Sequence, residues 1–275
     1  MMRTPVDILN SALPFLYFIT IWVYAQAFFA DFPPAKKLKT PLLIIALTGH
    51  LTYIVLRTIL FAHPPITTIF EIMSIIAFSI TATYCWIEQR TGIKNTGFFI
   101  LLLPFTFQAV SSLFIQDLSE VRPVLKSNLL GLHVTSAMLG FSAFAIAAVY
   151  GTLYLMLYHN LKVGRFGIIY QRLPNLEKLE NMATFANISG FGFLTLAIVI
   201  GLIWLSKTFE NVSYFDPKLV GTFFVWLVYG IGLTAKGIVG LQGRKIMILS
   251  IVGFLTSFFS LTIINIYFSG FHRFF

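Results

Sequence analysis

Eight stretches of the chain, at about residues 9 to 30, 41 to 62, 68 to 87, 96 to 115, 129 to 158, 187 to 206, 219 to 238 and 246 to 268, stay apolar for 20 residues or more. Only short segments carrying charge or proline separate them. The hydrocarbon layer of a bilayer is about 30 Å thick and a helix rises about 1.5 Å per residue, so each stretch is long enough to cross it once. In hydrocarbon a backbone can satisfy its own hydrogen bonds only as a helix or a closed barrel, and runs this long and continuously apolar select the helix. The pattern predicts an all-α, polytopic integral membrane bundle of about eight transmembrane helices, forming a single transmembrane domain over residues 1–275. Composition agrees: 57% of residues are hydrophobic and 11% charged, far from the balance of a soluble domain. The first run follows a single early Arg3 and has no small-residue cleavage site, so it reads as a first helix and not as a removed signal.

The net charge of +9 would suggest nucleic acid in a soluble chain, but here its distribution indicates helix orientation, and no nucleic-acid partner is expected. Connections alternate in basic content. Those at 31–40, 88–95, 159–186 and 236–245 carry 12 Lys and Arg between them, against six on the opposite side, with Arg57 left inside the second span. The positive-inside rule then puts the richer set in the cytoplasm and both termini outside, in a cell inner (cytoplasmic) membrane. The single cysteine, Cys85, lies within an apolar run and reads as a packed thiol.

The topology sorts the five histidines. His63, His133 and His272 fall at the outer face, His50 mid-membrane, and His159 at the cytoplasmic end of the fifth span. A neutral imidazole offers a lone pair to haem iron at physiological pH, whereas a lone membrane histidine is often a packing residue. His50 stands out because polar groups at bilayer depth are costly. Arg57 lies seven residues on, two turns along the same face. Two readings stay open: the pair holds an anionic group such as a haem propionate, or Arg57 meets Glu71, the acidic residue near the outer end of the third span. The chain has no Walker loop, HExxH, GxSxG or CxxC, and by itself is not expected to be an enzyme.

The segment SYFDPKLVGTFFVWLVYGIGLTAKGIVGLQGRKIMILSIVGF and the terminal GFH resemble the haem-handling cytochrome c assembly family, which includes CcsA, CcmC and the HemX-like proteins. The shared elements are Asp216-Pro217-Lys218, Trp226-Leu227-Val228-Tyr229, then Gly240, Gly243 and Arg244, and the Gly270-x-His272 ending. Upstream, HPPITTIFEIMSIIAF, LGLHVTSAMLGFSAFAI and LPNLEKLENMATFANISGF follow the family in order. The resemblance implies that His133 and His272 are the outer histidines that ligate haem, and that the loop at Phe209 to Lys218 covers it with Phe209, Tyr214, Phe215 and Asp216. It implies presentation of haem to apocytochrome c, beside a biogenesis subunit with a large outer domain. The family's tryptophan-rich pattern WGxxWxWDPKE reads here FENVSYFDPKL, and a further histidine of the exporters aligns at or near Thr234. In both departures the chain is closer to the HemX-like branch, some of whose members affect tetrapyrrole synthesis. That branch supplies the alternative function, a membrane protein regulating or scaffolding an enzyme of haem biosynthesis. A solute carrier lined by Arg57 and Glu71 is a third reading, without matched broken spans in two halves.

Overall fold

The computed structural model describes residues 5–117, 126–208 and 216–263, with the side chains of residues 218, 239 and 261–263 set aside. Among the described residues every regular element is helical. In order they are α1 (Pro5–Ala25, continued by a π-helical turn, Gln26–Ala30), α2 (Pro33–Phe61), α3 (Ile69–Thr91), α4 (Gly97–Phe114), α5 (Asn128–Lys162), α6 (Ile168–Arg172), α7 (Leu176–Thr208), α8 (Pro217–Val239) and α9 (Arg244–Ile263). Seven of these are long and apolar enough to cross a membrane: α1 with its π turn, α2, α3, α4, α5, α7 and α8. The expected eighth span, 246 to 268, falls on α9, whose described part ends at Ile263. Several helices outrun the apolar stretches that mark them. α2 begins at Pro33, with proline in its first turn, and α7 at Leu176, because a helix continues past the hydrocarbon until its backbone meets a cap.

The chain divides into two compact units. Unit 1 takes the described residues up to Gly131 together with Gly167–Pro174; unit 2 takes those of Leu132–Phe166 and from Asn175 onward. In unit 1, helices α1 to α4 put polar groups inside and leave Phe15, Trp22 and Ile59 outside, as expected where lipid is the solvent. α3 carries most of that polarity and buries Glu71, Ser74, Thr81 and Glu88. The Glu88 carboxylate accepts hydroxyl hydrogen bonds from Tyr24 at 2.6 Å, Tyr84 at 2.8 Å and Thr40 at 2.7 Å, joining α1, α2 and α3. Beyond α1, Asp31 adopts a left-handed conformation and meets Lys36 at 2.6 Å and Arg172 at 3.3 Å. The hydrogen bond from Lys36 holds the Asp31 carboxyl below its ordinary value, with Arg172 adding to the effect. Arg172 also donates to the Phe28 carbonyl at 2.7 Å, which ties the short α6 to unit 1.

Unit 2 relies on small residues where backbones approach. A Cβ on Gly140 would stand 3.1 Å from the Gly190 carbonyl oxygen, and one on Gly151 would stand 3.1 Å from that of Met247, so α5 runs close against both α7 and α9. Phe144 and Tyr229 stack with centroids 3.5 Å apart and planes 8° from parallel, joining α5 to α8. The α8–α9 turn uses Gly240 and Gly243, both at positive φ, and is pinned to α7 by Glu180. That carboxylate accepts from Lys236 at 2.7 Å and from the Gly243 N–H at 2.9 Å.

Two glycines allow the packing to be tested. A Cβ on Gly97 would collide with the Tyr24 ring and the Tyr84 hydroxyl, and one on Gly190 would stand 2.6 Å from the Phe144 ring. Alanine gains about 1 kcal/mol of helix propensity over glycine, whereas overpacking costs about 1–3 kcal/mol. Gly97→Ala and Gly190→Ala are therefore expected to lower the thermal midpoint in detergent micelles. A midpoint at or above wild type would mean that the helices do not approach this closely.

Candidate functional site

Each unit carries one of the arrangements expected from sequence. In unit 2, His133 lies about one and a half turns into α5, half-buried, with Nδ1 2.7 Å from the backbone oxygen of Ala197 on α7. A carbonyl only accepts, so Nδ1 is the protonated nitrogen and the neutral ring carries its lone pair on Nε2. Metal-bound histidines commonly have this arrangement, in which a second partner fixes the tautomer and aims the ring. Gly201, one turn beyond Ala197, makes room for it: a Cβ there would come within 2.6 Å of Nδ1. These features of His133 fit an axial haem ligand.

Of the loop expected to cover the haem, Asp216 is described. It is buried directly before α8, and its carbonyl accepts the Val220 N–H at 3.0 Å. Asp-Pro at this point suits a helix start, with proline at the first helical position. Phe209, Tyr214 and Phe215 lie outside the described residues, as does His272, the second expected ligand. Trp226 and Tyr229 of the WLVY element pack α8 into unit 2. The Trp226 indole donates to Thr195 Oγ1 at 2.8 Å and stacks on Phe191 at 5.3 Å. Thr234, where the exporters' further histidine aligns, lines an open apolar groove of about 600 Å³ together with Phe191, Trp226 and Ile238. Its hydroxyl donates to the Gly230 carbonyl at 2.7 Å.

In unit 1, His50 and Arg57 share the buried face of α2 as their spacing predicts, at 0% and 2% exposure. Both nitrogens of His50 are engaged, Nδ1 with the Tyr17 hydroxyl at 2.9 Å and Nε2 with Ser74 Oγ at 2.9 Å. The direction of the chain follows from its far end. Ser112 donates to the Asn10 carbonyl and accepts from Gln108 Nε2, so Gln108 Oε1 accepts from Ser74. Ser74 must then accept from His50 Nε2–H, leaving Nδ1 to accept from Tyr17. Histidine, tyrosine, serine and glutamine thus satisfy one another across four helices, and His50 must give up one of its two bonds to hold a ligand.

Arg57 meets Glu71, the second of the two readings left open. Nε lies 3.0 Å from Glu71 Oε1, Nη1 lies 2.9 Å from Asp117 Oδ1, and Nη2 lies 2.9 Å from the Gln116 carbonyl. Glu71 Oε2 accepts from both the amide and the hydroxyl of Thr67, at 2.8 and 2.7 Å. His63 is buried in the loop before α3, with Nδ1 2.9 Å from the Pro64 carbonyl. Sequence reasoning missed Tyr17, Ser74, Gln108, Asp117, Glu180 and Gly201. Ser74, Thr81 and Glu88 recur at helical spacing along α3 and could have been found as a polar stripe. Asp117 and Gly201 carry no such signal, because their partners lie far away in sequence.

Seven helices among the described residues that are long and apolar enough to cross a membrane define a polytopic helical membrane protein. Residues 40–272 match the sequence profile of the family described as cytochrome C assembly protein, and the chain belongs to that family. It is 27% identical over 246 residues to Protein HemX of Bacillus subtilis, covering 89% of each chain. It is also 27% identical over 233 residues to Protein HemX of Brevibacillus brevis, covering 79% of this chain and 83% of that one. Against the cytochrome c biogenesis protein CcsA of Mesostigma viride it is 24% identical over 236 residues, covering 77% of each.

Breaking one side of the buried pair is expected to be costly. Arg57→Gln should destabilise the protein by about 3–5 kcal/mol, because Glu71 is left charged and unpaired, and Arg57→Gln/Glu71→Gln should recover much of that loss. Unfolding midpoints in micelles for the single and double variants check this. Additive losses would show that the two side chains are not coupled.

Proposed function

We propose that the chain acts in cytochrome c biogenesis, holding haem at the outer face of the cytoplasmic membrane for attachment to apocytochrome c. The observation that carries this reading is the Nδ1 hydrogen bond of His133 to Ala197, which puts the lone pair of the neutral ring on Nε2 and fixes the ring's orientation. Family membership and the CcsA relatives support it. In this reading His133 and His272 are the axial ligands. Phe209, Tyr214 and Phe215 cover the macrocycle, and Asp216 fixes the loop to the start of α8. Bound haem supplies the vinyl groups to which an apocytochrome's thiols attach. The chain's own residues orient it, exclude water from its faces and set which nitrogen meets the iron. The expected outer loops are each about 5 to 15 residues long, too short to enclose an apocytochrome, so a membrane subunit with a large outer domain is the expected partner. Such a chain delivers haem and is a subunit of any lyase activity, not a complete enzyme.

A second reading has its own support. Protein HemX of Bacillus subtilis covers 89% of this chain against 77% for CcsA of Mesostigma viride, and the tryptophans of the exporter loop are replaced at Phe209, Ser213 and Phe215. In that reading the protein regulates or scaffolds an enzyme of tetrapyrrole synthesis.

Oxidised and dithionite-reduced spectra of protein purified in mild detergent separate the two. Haem delivery predicts six-coordinate bands at near-stoichiometric haem, lost in His133→Ala and His272→Ala. Gly201→Ala, which touches no ligand but crowds the His133 ring, should lose much of its haem as well. Absence of haem from wild type after expression with ample haem would remove the first reading and leave the second.

A further inference from the structure

Arg57 has partners of two kinds. Glu71 is buried, side chain 1% exposed, and fixed by Thr67, so it cannot leave without stranding a carboxylate in the bundle. Asp117 is different: its side chain is 55% exposed. It can turn away from Nη1 at little cost, because an exposed carboxylate is solvated wherever it points. A second observation concerns Tyr53, one turn before Arg57 on the same face of α2. It is 1% exposed and lies beside the Arg57 guanidinium, within electrostatic reach of Glu71 and Asp117, yet its own O–H finds no acceptor at hydrogen-bonding distance. Buried hydroxyls are nearly always satisfied, and an exception in a native fold calls for a reason. A carboxylate in place of Asp117 would give it one, with one oxygen on the guanidinium and the other accepting from Tyr53.

The surroundings are apolar. The Phe61 ring lies 4.7 Å from the Arg57 guanidinium carbon, and Phe70 stacks with Phe114 at 5.6 Å beside the residues that hold Arg57. Leu60, Ile69, Leu113 and Phe114 are exposed at the same end of unit 1. A ligand anchored here would need a carboxylate head and an apolar body lying against these side chains. The planar fork of a guanidinium suits a carboxylate better than a point cation would, and Nη1 is the arm whose present partner is exposed.

We propose that Arg57 and Tyr53 form a carboxylate-binding site that Asp117 fills in this structure and yields to an amphipathic carboxylate. That chemistry has two sources, a tetrapyrrole propionate or a fatty acid, and the tetrapyrrole source rests on the haem-handling reading above. His50 lies two turns deeper on the same face, about 10 Å along the helix, and takes no part.

The test uses the full chain in phosphatidylcholine nanodiscs and three probes: protoporphyrin IX, its dimethyl ester and oleate. Iron-free porphyrin removes axial ligation from the measurement. Porphyrin fluorescence, with oleate as competitor, reads the affinity. Asp117→Asn removes the internal occupant and is expected to tighten binding of the acid about two- to fivefold, the fold-change of a half-exposed ion pair. Tyr53→Phe should weaken the acid severalfold while leaving the thermal midpoint unchanged, and neither variant should alter ester binding. Equal binding of acid and ester, or acid binding indifferent to both variants, would overturn the site. Weak protoporphyrin binding that oleate displaces at concentrations far below those at which the porphyrin itself binds would support the site with a fatty acid as its source, leaving the tetrapyrrole source without support. Tight protoporphyrin binding retained in His133→Ala would support the site even if the axial assignment failed.

Discussion

Every polar group that this chain carries into hydrocarbon must find its partner inside the protein. Unit 1 meets that demand through α3. Glu71, Ser74, Thr81 and Glu88 run down one helix over 17 residues, about 25 Å of rise, and each reaches a neighbour. Glu71 takes Arg57 of α2, Ser74 joins His50 of α2 to Gln108 of α4, Thr81 meets Tyr17 of α1, and Glu88 gathers Tyr24 and Thr40. Apolar attraction between helices is weak when the solvent is itself apolar, so packing and internal hydrogen bonds select which helices adjoin. The helix arrangement of unit 1 follows from those pairings, with Leu13, Leu43, Ile80 and Leu101 packed around them and Phe15, Trp22 and Ile59 turned outward.

Unit 2 is assembled differently. Its helices meet through small residues and stacked aromatic rings: Gly140 and Gly190, Gly151 beneath Met247, Phe144 on Tyr229, Trp226 on Phe191. The elements that resemble the family therefore divide by physical role. Trp226 and Tyr229 hold α8 in place, and Gly243 supplies a left-handed turn and the amide that Glu180 captures. His133 does neither job. Its ring is clamped through Nδ1 in a notch that glycine at 201 leaves open, which ties α5 to α7 and fixes the ring's orientation.

The membrane spans were legible because hydropathy reports depth in the bilayer, and the helices lie where the apolar runs do. Their ends were not, since α2 and α7 continue through Lys36 or Glu177 into regions where lipid no longer constrains composition. The common face of His50 and Arg57 could be read from a seven-residue spacing, a local property. Their partners could not, because Tyr17, Ser74 and Asp117 reach them across 33, 24 and 60 positions. The five-residue α6 was also invisible: it is held by Arg172 on the Phe28 carbonyl, not by any periodicity of its own.

Haem delivery by this chain requires His133 to meet the iron through Nε2, the nitrogen that carries the lone pair when Nδ1 donates to Ala197. The most direct measurement is a structure of the haem-loaded protein in a lipid nanodisc. The expected result is iron bonded to Nε2 of His133, with the hydrogen bond from Nδ1 to the Ala197 carbonyl intact. Iron bonded to Nδ1, or to residues other than His133, would contradict it.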